Sequence, residues 1–182
     1  LKDHTMYSRS GVAEWTVENS HTDLTGTHFN LVKDGQQFEF SSKLLGLHQV
    51  GPIVAAIHLA HSLEIPVEKI QRGVKNTKPF DHRLEPRTDS SGVVTIDDSY
   101  NGNPDGVKVV IEFLAGLTGH RRFYVTPGLV EMGDRTEIVH REIGRELAEA
   151  GIEKVVLIRN SVTSYIEEGL KESRYKGEIL WF

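Results

Sequence analysis

The sequence predicts an α/β fold in which a parallel sheet is flanked by helices. The main observation is that short apolar, β-branched runs alternate with helical patterns along the second half of the chain. The loops between them are short, and strand–helix–strand units with short loops build parallel sheets. In the first half the hydrophobic period changes near His48, from a β pattern to a helical one. We therefore expect a Rossmann-like second half, preceded by a β-hairpin and helices.

Residues 1–47 carry the β pattern. Polar and apolar positions alternate there, and a turn is predicted at residues 33–36, where Gly35 supplies the positive φ angle that a tight hairpin needs. The clearest inward-facing side chains are those of Phe29, Leu31, Phe38 and Phe40. A hairpin of this kind is marginal alone and must pack on another element.

A helical stretch and a polar linker follow. Apolar residues recur at helical spacing at Ile53, Ile57, Ala60 and Leu63, and a second short helix is predicted at residues 66–73. Residues 75–87 are polar and contain two prolines, which is typical of a linker. We therefore place a domain boundary near residue 80, with one domain over residues 1–80 and another over residues 81–182.

The second domain is predicted as a regular series. Strands are expected at residues 93–98, 121–126, 154–158 and 179–182, and helices at residues 105–117, 135–150 and 162–172. The chain opens without Met and closes on an apolar, strand-like run. We therefore expect it to be a piece of a larger protein, truncated within this domain.

Composition and missing motifs argue against several classes of function. The net charge of −5 over 182 residues argues against a nucleic-acid scaffold, and no apolar run approaches the ~20 residues that span a bilayer. The chain has no cysteine, which fits a cytoplasmic protein. Neither a GxxxxGK[ST] phosphate loop nor a GxGxxG fingerprint occurs, which argues against a nicotinamide or flavin oxidoreductase.

The stretch VVTIDDSYNGNP, at residues 93–104, is the strongest candidate site. It combines a strand, a polar turn and a helix start, and ligands of open α/β sheets bind at such strand ends. Asp97 and Asp98 are adjacent, so on a strand they point to opposite faces and do not form a paired acid/base dyad. One of them is placed to accept the hydroxyls of a ribose. A well-capped turn, with an aspartate as the helix cap, is the alternative.

Other polar residues are weaker candidates. Arg83 could contact phosphate or adenine, or pair with Glu85. Glu131 lies in a glycine-containing loop at residues 127–133, and His140 is either a hydrogen-bonding residue of the next helix or a catalyst. His48, His58 and His61 suggest a metal site, because the last two are three apart on a helix. Only Glu64 is near enough to complete a ligand set, so we predict no metal site.

Four motifs together resemble the Mur ligase family of ATP-dependent amide ligases. Residues 96–107, IDDSYNGNPDGV, are similar to an IDDSYNANP signature, that of the branch that adds D-alanyl-D-alanine. Residues 46–70 resemble the segment GxHNxxNxxAAxAxAxxLGxPxExI, and HRLE at residues 82–85 resembles GRLE. VTPGLVEMG and HREIG, at residues 125–133 and 140–144, resemble VLGDMxELG…HxxIG.

The resemblance implies a fold and an activity. It makes residues 1–80 the tail of a central ATPase domain and residues 81–182 most of the Rossmann-like C-terminal domain. It implies ATP and Mg²⁺ as cofactors of the full-length enzyme, and a UDP-MurNAc-peptide and an amino acid or dipeptide as substrates. The product would serve peptidoglycan and cell-wall synthesis in the cytoplasm, and hence cell shape and division. ATP would convert a carboxylate into an acyl phosphate, which an amine then attacks. Because this chain has no phosphate loop, we expect it to be inactive alone.

The resemblance also assigns site residues. Asp98 matches an aspartate that binds the ribose, Arg83 an arginine that reaches the nucleotide, and His48 the histidine of the second motif. The loop beside the incoming amine is matched by Ser99, Tyr100, Asn101 and Asn103.

The chain departs from the family pattern at three positions. Gln49 and Pro52 stand where the family has two asparagines close to the adenine; Gln can imitate Asn, whereas Pro has no side-chain donor. Gly128 stands where the D-alanyl-D-alanine-adding pattern has Asp. Two alternatives therefore stay open: a non-catalytic, Mur-like nucleotide-binding or scaffolding module, and another ligase of the superfamily, of the folylpolyglutamate or cyanophycin synthetase type.

Overall fold

In the computed structural model, which describes residues 5–182, the chain divides into two units between Asp98 and Ser99. The first unit contains an antiparallel sheet with strands in chain order. Its strands are β1 (Tyr7–Ser8), β2 (Gly11–Val12), β3 (Trp15–Asp23), β4 (Gly26–Lys33) and β5 (Gln36–Ser42). Between β4 and β5 the turn residues Asp34 and Gly35 have φ angles of 50° and 75°, as a type I′ hairpin turn requires. The predicted turn is confirmed.

Two helices pack on this sheet. A 3₁₀ turn, Leu47–Gln49, leads into α1 (Val50–Ser62), and α2 (Val67–Lys75) follows. The predicted inward-facing set is confirmed, since Phe29, Leu31 and Phe40 are buried and Phe38 packs on the same cluster. The helices contribute Val50, Ile53, Val54, Ile57, Ile70 and Val74 to this core. The predicted stripe of α1 was too long, because Leu63 lies beyond the last turn of the helix and is exposed.

A two-stranded hairpin closes the first unit and corrects the sequence analysis. β6 (Glu85–Thr88) pairs antiparallel with β7 (Val94–Asp97), so the predicted strand at residues 93–98 is not hydrogen-bonded into the parallel sheet, and residues 85–87 are not linker. The physical reason lies in the connection. The Asp89 carboxylate accepts hydrogen bonds from the Ser91 and Val93 N–H groups and Gly92 has a φ of 87°, which folds β7 back on β6.

The second unit is the predicted arrangement of parallel strands and helices. Its elements are α3 (Pro104–Gly116), β8 (Phe123–Thr126), α4 (Thr136–Glu149), β9 (Lys154–Leu157), α5 (Thr163–Glu172) and β10 (Glu178–Trp181). The sheet order is β10-β9-β8, with both pairs parallel. Val155 and Leu157 of the central strand are fully buried, as expected for a sheet covered by helices. Across residues 5–182, every helix is too short or too polar to traverse a bilayer.

Helices α4 and α5 approach so closely that their backbones touch at two glycines. A Cβ atom at Gly144 would lie 2.2 Å from the Ile166 carbonyl oxygen, and one at Gly169 would lie 2.1 Å from the Arg141 carbonyl oxygen. Both atoms in the way belong to the backbone, so a side chain could be accommodated only if the helices separated. The glycines therefore set the spacing of the two helices.

We expect Gly144→Ala to destabilise the protein by roughly 2–3 kcal/mol, because an overpacked contact of this kind must be relieved by helix displacement. Urea denaturation followed by circular dichroism measures the change. Gly116→Ala is the matched control, since a Cβ at this helical glycine meets nothing within 4 Å. The control should be neutral or slightly stabilising, because Ala favours the helix over Gly. Equal effects of the two substitutions would contradict the role given to the helix contact.

Candidate functional site

Asp97 and Asp98, at the end of β7, engage different partners. The Asp97 Oδ2 atom lies 2.8 Å from His82 Nδ1 and 3.9 Å from an Arg87 guanidinium nitrogen. Asp98 instead accepts the backbone N–H of Leu84 at its Oδ1 atom, 3.1 Å away. This is the divergence that strand geometry predicts for neighbouring residues.

Asp98 is partly buried, and its surroundings act on its pKa in both directions. Its burial raises the pKa of the Asp98 carboxyl, while the Leu84 hydrogen bond and the positive charge of Arg83 act in the opposite direction. Asp98 is therefore a partly buried carboxylate with one oxygen anchored by the Leu84 N–H.

The backbone around Arg83 is strained. His82 and Leu84 have φ angles of 59° and 47°, in the left-handed region that non-glycine residues avoid. Three hydrogen bonds hold this conformation: Arg83 N–H to the Phe80 carbonyl, His82 N–H to the Glu85 carboxylate and Leu84 N–H to Asp98. Strain of this kind costs of order 1–3 kcal/mol per residue and is concentrated at functional sites. It fixes the backbone from which the Arg83 side chain projects.

His48 and Gln49 form a second local group in the first unit. Both lie in the 3₁₀ turn before α1, and Gln49 Nε2 is 2.8 Å from His48 Nε2. The Gln49 amide is thus oriented by its neighbour. Pro52 is exposed in the first turn of α1, where a proline is tolerated.

The predicted amine loop opens the second unit. Ser99, Tyr100 and Asn101 lie in irregular structure and are exposed, the Tyr100 ring to 70%. Asn103 is the N-cap of α3, and its Oδ1 accepts the Gly106 N–H at 2.9 Å. The helix is therefore capped by Asn103, and neither aspartate of the motif does so.

His140 connects the loop at residues 127–133 to α4. Its ring is fully buried. The Nδ1 atom lies 2.5 Å from the Thr136 carbonyl oxygen, and Nε2 accepts the Leu129 N–H at 2.9 Å. Of the two alternatives left open by the sequence, these contacts favour a hydrogen-bonding residue, since both ring nitrogens are engaged.

Two glycines lie in close contact with the side chains of His140 and Leu129. A Cβ at Gly128, where φ is 76°, would lie 2.9 Å from His140 Nε2 and 2.8 Å from a Val162 methyl carbon. A Cβ at Gly102 would lie 2.4 Å from a Leu129 methyl carbon. The loop at residues 99–103 therefore touches the loop at residues 127–133 through Leu129. Glu131, in the second of these loops, is exposed and has a φ of 62°.

Sequence reasoning missed three features of this site. They are the His82–Asp97 contact, the left-handed backbone on both sides of Arg83 and the packing of the Leu129 side chain against Gly102. The Asp-Ser-Ser-Gly sequence at residues 89–92 is typical of a turn and could have predicted the β6–β7 hairpin. That hairpin produces the His82–Asp97 contact and the left-handed backbone around Arg83. We find no signal for the third, because it depends on which loops meet in space.

Comparison with known proteins identifies the family. The model of the Mur ligase glutamate ligase domain matches residues 82–178, which is more than half of the chain. The chain belongs to the Mur ligase family. It is thus homologous to ATP-dependent amide ligases. The match begins at His82, so the β6–β7 hairpin lies within the matched sequence.

Curated relatives of this chain are ligases by name. The UDP-N-acetylmuramoyl-tripeptide–D-alanyl-D-alanine ligase of Escherichia coli is 28% identical over 146 residues, which are 80% of this chain and 32% of the relative. The Bacillus subtilis enzyme of the same name is 27% identical over 191 aligned positions, covering 93% of this chain and 41% of the relative. The chain therefore spans about a third to two fifths of the length of these relatives.

Solved structures show the same fold. MurF from Acinetobacter baumannii superimposes with a TM-score of 0.76 at 22% identity, covering 92% of this chain and 36% of that one. MurF from Thermotoga maritima, solved with ADP, superimposes with a TM-score of 0.70 at 20% identity. The match covers 96% of this chain and 43% of that one. Folylpolyglutamate synthase from the same organism superimposes with a TM-score of 0.62 at 18% identity. The match covers 92% of this chain and 43% of that one. At these identities the likeness establishes the Mur ligase fold.

We expect His140→Ala to destabilise the protein by about 3 kcal/mol. It leaves the buried Leu129 N–H without an acceptor and opens a cavity. Chemical denaturation measures the loss, and His120→Ala is the matched control, because His120 is exposed. The control should change the unfolding free energy by less than ~0.5 kcal/mol. A stable His140→Ala protein would show that the ring does not hold the loop.

Proposed function

We propose that the chain is part of an ADP-forming ligase of peptidoglycan precursor synthesis. This enzyme would add an amino acid or D-alanyl-D-alanine to a UDP-MurNAc-peptide in the cytoplasm. Membership of the Mur ligase family and the four motifs in family order support the proposal. The observation that carries it is the geometry of Asp98, whose partly buried carboxylate is anchored by the Leu84 N–H at one oxygen.

Asp98 is the proposed acceptor of the ribose hydroxyls of the nucleotide. A hydrogen bond from a neutral hydroxyl to a carboxylate is charge-assisted and stronger than a neutral one. Because the Leu84 N–H holds one oxygen, the other is presented in a fixed direction. Arg83 and Gln49 are the other proposed nucleotide contacts, with His48 orienting the Gln49 amide.

The proposed contacts to the incoming amine substrate are Ser99, Tyr100 and Asn101. Asn103 belongs to the same loop, but its side-chain oxygen is used by the α3 cap. We therefore propose that Asn103 positions the loop. His140 is likewise a proposed positioning residue, because it holds Leu129 against Gly102. Glu131 stays a weaker candidate for a ligand contact.

ATP and Mg²⁺ are the proposed cofactors, ATP supplying the phosphoryl group that activates the substrate carboxylate. The chain has no phosphate loop. Within residues 5–182, the single group of three potential metal ligands contains two histidines, whereas Mg²⁺ prefers carboxylate oxygens and water. We therefore assign no Mg²⁺ ligand here and expect residues 1–182 alone not to hydrolyse ATP.

A domain boundary near residue 80 remains part of the proposal. The start of the family match at His82 supports it. The β6–β7 hairpin, by contrast, makes its contacts within the first unit, which extends to Asp98.

A non-catalytic Mur-like module is the second candidate. Its support is the pair of departures near α1, since Pro52 has no side-chain donor and the Gln49 amide is bonded to His48. Both features weaken adenine recognition of the usual family type. An assay of the full-length protein separates the two candidates.

For Asp98 we expect Asp98→Asn to weaken ADP binding by about 10- to 100-fold, because charge-assisted hydrogen bonds contribute roughly 1.5–3 kcal/mol. Isothermal titration of the full-length protein with ADP measures it. Folding should be retained, since Asn keeps the acceptor for Leu84 and removes a charge whose burial is unfavourable.

Asp81→Asn is the matched control, because Asp81 is an exposed aspartate near the same hairpin and its substitution changes the charge equally. It should bind ADP like the unmodified protein. Equal ADP affinities of the Asp98 and Asp81 variants would remove Asp98 from the nucleotide site.

The acceptor is tested by incubating full-length protein, ATP and a UDP-MurNAc-peptide with D-alanyl-D-alanine, a diamino acid or glutamate. We expect ADP release that depends on one of these amines. ADP release with a folate substrate and glutamate instead would favour the folylpolyglutamate type. No amine-dependent release from a protein that binds ADP would favour the non-catalytic module.

A further inference from the structure

A cluster of two histidines and one aspartate lies on the β3–β4 hairpin, outside the proposed nucleotide and amine contacts. His21, Asp23 and His28 each offer one ligand atom, and these three atoms lie within 4.8 Å of one another. The sequence suggests a metal site only at His48, His58 and His61, and none is predicted there. We propose that His21, Asp23 and His28 bind a divalent transition-metal ion of the Zn²⁺ type.

Strand register creates the cluster. His21 of β3 and His28 of β4 are directly opposite each other, and their rings stack with centroids 5.0 Å apart. Asp23 is two residues from His21 and therefore projects from the same face of the strand. Its partner across the hairpin is Gly26, which places no side chain beside the carboxylate.

The spacing is close to that of a coordinated set. Metal–ligand bonds of about 2.0–2.1 Å in a tetrahedral site separate neighbouring ligand atoms by about 3.3 Å. His28 Nε2 and Asp23 Oδ1 are 3.8 Å apart, so small side-chain rotations bring them to that distance. The side chains are accessible, with 29% of His28 and 50% of Asp23 exposed.

The surroundings favour coordination. His21 Nδ1 lies 3.4 Å from the Asn19 carbonyl oxygen, and metal-bound histidines commonly direct their second ring nitrogen to such an oxygen. Thr25 donates hydrogen bonds to the Asp23 Oδ1 atom from its backbone N–H and from its hydroxyl, at 2.7 Å and 2.6 Å. These two bonds hold the Asp23 carboxylate in place on the hairpin.

A shallow pocket adjoins both histidines. It has a volume of about 440 Å³, and its other lining residues are Asn19, Phe29, Asn30, Glu39, Phe40 and Ser41. Three protein ligands leave at least one coordination position for water or another ligand, which this pocket has room to hold.

The donor set selects the metal. Two imidazoles and one carboxylate suit Zn²⁺, Cu²⁺ or Ni²⁺, whereas Mg²⁺ and Ca²⁺ prefer all-oxygen sites. The proposed site is thus chemically distinct from a Mg²⁺–nucleotide site. An ion there would join β3 to β4 near the turn of the hairpin.

The test is titration of the untagged chain with Zn²⁺ in the presence of millimolar Mg²⁺, by isothermal titration calorimetry. We expect one ion per chain, not displaced by Mg²⁺. His21→Gln, His28→Gln and Asp23→Asn should each weaken binding at least about tenfold, as even changes to outer-shell partners do. His120→Gln is the matched control, since His120 is an exposed histidine outside the cluster, and it should bind like the unmodified chain.

Two further readouts separate coordination from effects on folding. Circular dichroism checks that each variant is folded, and Co²⁺ substitution should give visible absorption bands that the His28→Gln variant lacks. Zn²⁺ should also raise the unfolding temperature of the chain and of the His120 variant, but not that of a His21/His28 double variant. Unchanged Zn²⁺ affinity in the folded double variant, or no binding by the unmodified chain, would overturn the proposal.

Discussion

The buried His140 ring holds the loop that follows β8 against the rest of the second unit. Its Nδ1 atom contacts the Thr136 carbonyl of its own helix, and Nε2 accepts the Leu129 N–H, so the loop after β8 is attached to α4. Leu129 in turn belongs to the core that includes Ile111 of α3. One side chain therefore couples two helices to the loop at residues 99–103, through the contact of Leu129 with Gly102. A residue with only one ring nitrogen in use could not provide this coupling.

The segment at residues 82–98 combines several energetically unfavourable features. His82 and Leu84 are in left-handed conformations, and the pKa of Asp98 is raised by burial. The Leu84 N–H relieves both conditions at once, because it stabilises the turn and the carboxylate with a single hydrogen bond. Local conflicts of this kind are expected where a sequence serves binding as well as folding.

The sequence predicted the elements of the second unit well because their signals are local. The hydrophobic period located α3, α4 and α5 within about two residues, and alternation predicted that Asp97 and Asp98 would diverge. Which strands pair with each other is not decided by local sequence, and this is why β7 was wrongly assigned to the parallel sheet. The contact of Asp97 with His82 depends on that same pairing. His21 and His28 were overlooked for a related reason, since a register shift between Glu18 and His21 obscures which residues face each other.

The departures from the family pattern differ in whether packing explains them. Gly128 stands where the resembling motif has Asp, and a side chain there would collide with His140 and Val162. Packing therefore accounts for the absence of a side chain at this position. Gln49 and Pro52 have no such packing explanation. The argument for a non-catalytic module therefore rests on the start of α1 alone.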